Sequence, residues 1–293
     1  MTYWLVANPE AGDGKRGREY WLNMLQSAGI HNPECGDLGD QRWMEQVQPD
    51  DVVMVAGGDG SVNCSAKLCL EKQATLAVLP SGTANDFARN LGLPDDPQQL
   101  CQLVAEGTCV QVDVAEYGEK LFLNVAHIGL GSVSAQAPGG PVKRFLGRFS
   151  YTVELLRRLS EKRGFHAGIR CDGAFVRGRW LSIAIAIGSG AFFGGGNEMP
   201  ETAADDGQLQ VIAVKPRPIP QLLITFMMVR ITGKTPKRTS TVIHLRGRRC
   251  RIETNTKRVF TADGDEAGET PVSFECRAGC LRVIGTRIVQ TGG

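Results

Sequence analysis

Histidine is scarce in this chain: only His31, His127, His166 and His244 occur, and none stands at a zinc-ligand spacing to a cysteine. The nine cysteines are scattered, odd in number and contain no C-x-x-C pair, which predicts free thiols in a reducing compartment. Long apolar runs are missing too. The longest, Trp180 to Ile187 and Leu222 to Val229, fall far short of a bilayer span. The N-terminal residues lack a basic region followed by an apolar run and a cleavage site, so the expectation is an intracellular, cytoplasmic protein. Neither G-x-x-x-x-G-K-[ST] nor a strand-to-helix G-x-G-x-x-G is present, which weakens P-loop and dinucleotide readings.

What remains is a globular composition, 42% hydrophobic and 22% charged over 293 residues, enough for two cores. The net charge of +2 hides an asymmetry. Residues 1–140 carry 8 basic against 18 acidic side chains, and the rest of the chain is correspondingly basic. The expectation is that the two halves have different jobs or partners.

Strand and helix signals alternate in the first part: strands at 3–8, 51–56 and 76–79, helices at 17–29, 61–71 and 85–91. That pattern is a layered α/β domain. Beyond about residue 110 short strand-like runs dominate, including 110–116, 120–128, 165–171, 179–187, 209–214 and 272–276. Two helical inserts, 142–162 and 220–231, interrupt them. A β-rich second domain such as a sandwich is expected. The boundaries read from the sequence are 1–117, 118–280 and a terminal segment 281–293 returning to the first domain.

Two glycine-rich turns carry the chemistry. Gly57-Gly58-Asp59-Gly60-Ser61 follows the apolar strand Asp51 to Ala56, and Ser81-Gly82-Thr83-Ala84-Asn85-Asp86 follows Leu76 to Leu79. Turns at the C-terminal ends of buried parallel strands are where open α/β sheets bind ligands. Glycine lets backbone N–H groups approach phosphate oxygens, and a helix N-terminus favours anions. Thr83 offers a hydroxyl to a phosphate; Asp59 suits orienting the loop, holding a ribose hydroxyl or sitting near magnesium.

These turns, with Asp205-Asp206-Gly207-Gln208-Leu209 and Asp263-Gly264-Asp265, resemble in order and spacing the catalytic domain of diacylglycerol kinase and sphingosine kinase-type lipid kinases. The likeness covers nearly the whole chain, as in stand-alone bacterial members. It implies an α/β N-terminal nucleotide-binding domain, NAD kinase/phosphofructokinase-like, plus a C-terminal β-sandwich domain that receives the lipid. By the same resemblance ATP is bound by Gly57, Gly58, Asp59, Gly60, Ser61, Gly82 and Thr83 with Asn8 at the floor, and a magnesium ion by Asp206 with the carbonyls of Ala203 and Gln208. Glu34 to Asp37 lacks the threonine that the family carries there. Asp265, where relatives more often have Glu, is assigned as general base, and Asp263 as a magnesium or orienting partner.

A kinase acting on lipid without a membrane helix needs a peripheral contact, and the basic C-terminal half supplies one. Lys143, Arg144, Arg148, Arg157, Arg158, Lys162 and Arg163 flank apolar positions at helical spacing, as on an amphipathic surface helix. Arg246, Arg248, Arg249 and Arg251 with Lys237 and Arg238 form a second cluster able to face lipid phosphates; no nucleic-acid motif accompanies it. Homo-oligomer formation stays open. The competing readings are a kinase of a soluble acceptor, NAD kinase-like, and a nucleotide-binding protein with a retired active site.

Overall fold

The computed structural model describes residues 1–8, 16–40, 42–129, 164–188, 206–218, 221 and 241–286. The chain divides into two compact units, the first made of Met1–Val114, Ala204–Gly207 and Arg277–Gly293, the second of Ala115–Ala203 and Gln208–Cys276.

In the first unit β1 (Tyr3–Ala7), β2 (Glu34–Gly36), β3 (Val52–Gly57) and β4 (Thr75–Pro80) pair in parallel in the order β2-β1-β3-β4. Every residue of β3 is buried, as expected of a strand covered on both faces. Helices α1 (Arg18–Ser27), α2 (Arg42–Gln46), α3 (Asp59–Lys72), α4 (Asp86–Asn90) and α5 (Pro97–Glu106) connect the strands. The sequence reading passes over α2 and α5. Yet α5 is well signalled: Asp96 accepts the N–H of Gln99, Pro97 opens the helix and Gly107 closes it in the left-handed conformation. Leu5, Trp21, Leu25, Met54, Leu79, Leu100 and Val104 form one core, and Ile284, from the end of the last strand, joins them. Near it Val283 pairs in parallel with Leu76 of β4.

The second unit is a sandwich. One sheet is antiparallel in the order β12-β11-β10-β7-β14-β15, formed by β7 (Val125–Gly129), β10 (Ser182–Ile187), β11 (Leu209–Val214), β12 (Val242–Gly247), β14 (Val259–Ala262) and β15 (Asp265–Glu269). Against it lie β8 (Phe165–Cys171), β9 (Ala174–Trp180), β13 (Arg249–Thr254) and the first residues of β16 (Val272–Ile284), with the hairpin of β5 (Cys109–Tyr117) and β6 (Lys120–Phe122). Phe122, Ile128, Ile169, Trp180, Ile185, Val211, Ile252 and Phe274 from both sheets fill the space between.

Three sequence expectations change here. The run 120–128 is two strands, because the N–H groups of Leu123, Asn124 and Val125 donate to the carboxylate of Asp263 instead of to a single continuing ladder. The run 179–187 divides at Leu181, between β9 and β10. The expectation of free thiols throughout also fails: Cys171 and Cys250, register partners on β8 and β13, are joined as a disulfide. At a sequence separation of 79 no spacing reveals the pair. Buried Cys69 and Cys101 remain thiols, pushed up by burial to about 12 and about 11, and so are unreactive. The helical inserts 142–162 and 220–231 lie outside the described residues, apart from Gln221.

Candidate functional site

In the first unit the two glycine turns meet. β3 and β4 are neighbours in register, Gly57 opposite Pro80, so their C-terminal turns emerge side by side. The approach is backbone to backbone: a Cβ on Gly82 would stand 2.6 Å from the Cα of Gly58. A Cβ on Gly57 would stand 2.6 Å from the Cβ of Ser61. Glycine is therefore required at both positions by space. Gly60 is different, with open space around it and an exposed position.

Side chains fix the two turns. Asp59 Oδ1 accepts the N–H of Phe87 at 3.2 Å, so the carboxylate of the first turn ties down the first residues of α4 behind the second. Of the roles open to Asp59, this geometry displays loop orientation. Asn85 closes the second turn on itself: its Oδ1 accepts the N–H of Gly82 at 3.0 Å and its Nδ2 donates to the Gly82 carbonyl at 2.9 Å. Its φ of 49° explains an asparagine there, a residue that tolerates the left-handed region. Asn8 donates to the hydroxyl of Ser61 at 3.2 Å, bringing β1 to the same place. Beneath the turn Trp21 Nε1 donates to Ser81 Oγ at 2.9 Å. Thr83 is exposed at the tip.

The result is a cradle for an anion. α3 begins at Asp59 with Gly58 as its N-cap, and no side chain caps it, so its first N–H groups face outward with the positive end of the helix dipole. A nucleotide's phosphates match this donor set, and the close Gly58–Gly82 contact leaves the backbone bare for them.

The second unit holds the other group. Asp263 and Asp265 flank a turn between β14 and β15, but their environments differ. Asp263, with φ 48°, uses both carboxylate oxygens on main chain: Oδ2 accepts from Leu123 at 2.7 Å, and Oδ1 accepts from Asn124 at 2.9 Å and Val125 at 3.0 Å. Its own N–H donates to the Val125 carbonyl. Asp265 is exposed. One carboxylate is thus spent on holding the turn while the other is presented to solvent. Tyr117, which the sequence reading does not single out, stands beside both: burial, then the charges of Asp263 and Asp265, raise its phenol above the ordinary value. Its ring packs edge-on against Phe260 at 5.3 Å, which fixes it there.

The expected cation site is only partly on view. Ala203 lies outside the described residues, while Asp206 and Gln208 are exposed. Between them Gly207, at φ 71°, donates its N–H to Asp113 Oδ2 at 2.6 Å, and Gly279 donates to Asp113 Oδ1 at 2.8 Å. Asp113 is 1% exposed and holds the turn much as Asp263 holds its own. Asp113 is absent from the sequence expectations, although a lone carboxylate inside the apolar run Val112-Asp113-Val114 was a signal available to find it. Among the described residues no cluster of three or more His, Cys, Asp or Glu is arranged to hold a metal. Asp206 has the hard oxygen donor that magnesium takes.

The second basic cluster is largely engaged. Arg249 pairs with Glu275 at 2.9 Å, Arg251 with Glu253 at 2.7 Å, and Arg248 lies 4.0 Å from Glu275. Arg246 donates to the buried Gln210 at 2.8 Å. Lys237, Arg238 and the basic residues 143–163 lie outside the described residues.

Comparison with known proteins agrees with this geometry. Residues 2–117 match the diacylglycerol kinase catalytic domain, and 128–285 the YegS C-terminal NAD kinase beta sandwich-like domain. A Pseudomonas savastanoi pv. phaseolicola protein named "Probable lipid kinase YegS-like" is 33% identical over 236 residues, 79% of this chain and 74% of its own. A Staphylococcus aureus diacylglycerol kinase is 27% identical over 282 residues, covering 92% of this chain and 88% of its own. The crystal structure of a diacylglycerol kinase from Bacillus anthracis shares the fold, with a TM-score of 0.72 at 24% identity over 98% of both chains. With two family domains in order along the chain and relatives spanning both, this protein belongs to the diacylglycerol kinase catalytic-domain family of lipid kinases.

Proposed function

We propose that the protein transfers the γ-phosphate of Mg-ATP to a hydroxyl of a membrane lipid of the diacylglycerol class, working as a cytoplasmic enzyme that binds membranes peripherally. The observation that carries the reading is the division of labour at the 263–265 turn: Asp263 is consumed by three main-chain donors, and Asp265 is left exposed.

Phosphoryl transfer asks a protein chiefly to position groups and offset charge. Gly57, Gly58, Gly60, Ser61, Gly82 and Thr83, with Asn8 behind them, form the phosphate cradle, and Asp59 keeps the two turns in register. Asp265 accepts the proton of the attacking hydroxyl, and Asp263 positions it. Magnesium, when bound, offsets phosphate charge; Asp206 with the carbonyls of Ala203 and Gln208 is the proposed structural site. The contact between the turns supports a nucleotide because Gly58 and Gly82 put no side chain where they meet, beside the uncapped start of α3.

Membrane access fits a peripheral mode. Among the described residues no helix is long and apolar enough to cross a bilayer. The test is transfer of labelled γ-phosphate from Mg-ATP to diacylglycerol, phosphatidylglycerol, ceramide, sphingosine and NAD, with Asp265→Asn beside the wild type. Label on a lipid that disappears in the variant is the expected result. Label on NAD alone establishes the soluble-acceptor reading, and no label on any acceptor the retired site.

A further inference from the structure

The outward face of the sheet formed by β9, β8, β13 and the start of β16 in the second unit has no part in the chemistry described above. Strand alternation turns Phe165, Ala167, Ile169, Cys250 and Ile252 into the core and leaves His166, Arg170, Arg249, Arg251 and Glu253 outside. On β9 the outward residues are Phe175, Arg177 and Arg179. Register fixes their places. Phe175 is opposite Arg170, which is opposite Arg251; Arg177 is opposite Gly168; Arg179 is opposite His166.

Charge on this face is lopsided. Glu253 is held by Arg251 and Glu275 by Arg249, so both acids of the face are already answered. Arg170, Arg177 and Arg179 have no carboxylate partner among the described residues. Next to these three guanidinium groups stands an aromatic ring in water. Phe175 is 56% exposed, one of three exposed large apolar side chains among the described residues. The ring is not loosely placed: Arg170 lies over it at 5.0 Å, and it rests on Gly168, where a Cβ would come within 3.2 Å of it. A glycine at that register position gives the ring its seat.

Solvated arginines alone would only keep an outer strand from pairing with another chain. A seated, exposed phenylalanine does not serve that purpose. A ring that gains by leaving water, set among unpaired cations, matches the boundary of an anionic bilayer, where acyl chains and lipid phosphates lie within a few ångströms of each other.

We propose that this face, through Phe175, Arg170, Arg177 and Arg179, docks the protein on an anionic phospholipid bilayer. The proposal rests on the lipid-kinase reading for its choice of a membrane as partner, and its test separates the two. Sedimentation with vesicles of phosphatidylcholine containing phosphatidylserine, and with phosphatidylcholine alone, measures docking. Turnover of diacylglycerol dispersed in detergent micelles measures catalysis without a bilayer. Arg177→Glu/Arg179→Glu should weaken binding to the anionic vesicles by about 30-fold or more, at roughly fivefold per lost charge. Phe175→Ala should weaken it several-fold, and micellar turnover should stay within about twofold of wild type in both variants, since neither touches the phosphate cradle or the 263–265 turn. Binding should also fall steeply as salt rises. Undiminished vesicle binding by the arginine double variant overturns the proposal, as does preference of the wild type for duplex DNA over anionic vesicles. Absence of lipid phosphorylation in micelles by the wild type counts against the kinase reading alone, and the vesicle result still decides docking.

Discussion

Replacing Asp263 and Asp265 in turn should separate stability from activity. Asp263 accepts three main-chain N–H groups, two of them on Leu123 and Asn124, which are 3% and 4% exposed. A hydrogen bond to a charged acceptor contributes about 1.5–3 kcal/mol, and a buried donor left unmade costs about 1–3 kcal/mol. Asp263 itself is part-exposed, which places the sum at the lower end, so Asp263→Ala should destabilise the second unit by about 3–5 kcal/mol. Asp263→Asn tolerates the φ of 48° and keeps one oxygen, enough for Asn124 and Val125, but turns an amide toward the Leu123 N–H. A loss of about 1–3 kcal/mol is expected there. Asp265→Asn, at an exposed position, should change stability by less than about 0.5 kcal/mol. Urea unfolding gives the totals, and hydrogen exchange of a peptide spanning residues 120–126 locates them, because those amides lose protection only if Asp263 is their acceptor. An Asp263→Ala protein with an unchanged midpoint and protected amides at 123–125 would refute the assignment of Asp263 as the group holding the turn.

Gly82→Ala forces the Gly58 backbone away from a 2.6 Å clash and should cost about 1–3 kcal/mol in stability and at least about tenfold in nucleotide affinity by calorimetry, whereas Gly60→Ala, facing open space, should leave affinity nearly unchanged. Asp113→Asn removes a charged acceptor shared by Gly207 and Gly279, and thermal unfolding should register about 1–2 kcal/mol of lost stability in the first unit. His127 has its Nδ1 buried without a partner, and burial holds its pKa down to about 4. The unfolded chain therefore takes up the proton first as pH falls, near pH 6.5, and native stability should decline between pH 6.5 and about 4 by up to about 3 kcal/mol. In urea titrations at pH 7 and pH 4.5, His127→Gln should show a smaller difference than wild type.

The first unit is legible in the sequence for local reasons. An all-apolar strand followed by glycines and a helix start, as in Val52 to Ser61, carries its fold and the first turn of the candidate site within ten residues. The second unit depends on partners far apart. The break at Leu123–Asn124 is set by Asp263, some 140 residues later, and periodicity in 120–128 contains no trace of it. Cys171 and Cys250 meet only through the β8–β13 register. The arginines at 248–251 read as a free cationic cluster because Glu253 and Glu275 reach them only once the strands pair. Tyr117 falls one residue past the strand-like run 110–116, and only the folded hairpin and β14 bring it beside Asp263 and Asp265.

The most direct test of the central claim is a paired determination of turnover and nucleotide affinity in Asp265→Asn with diacylglycerol as acceptor. If Asp265 takes the acceptor's proton and the glycine turns hold the nucleotide on their own, turnover should fall by about a hundredfold or more while the Kd for Mg-ATP stays within about twofold of wild type. Turnover near the wild-type rate, or a collapse of nucleotide affinity together with turnover, would contradict it.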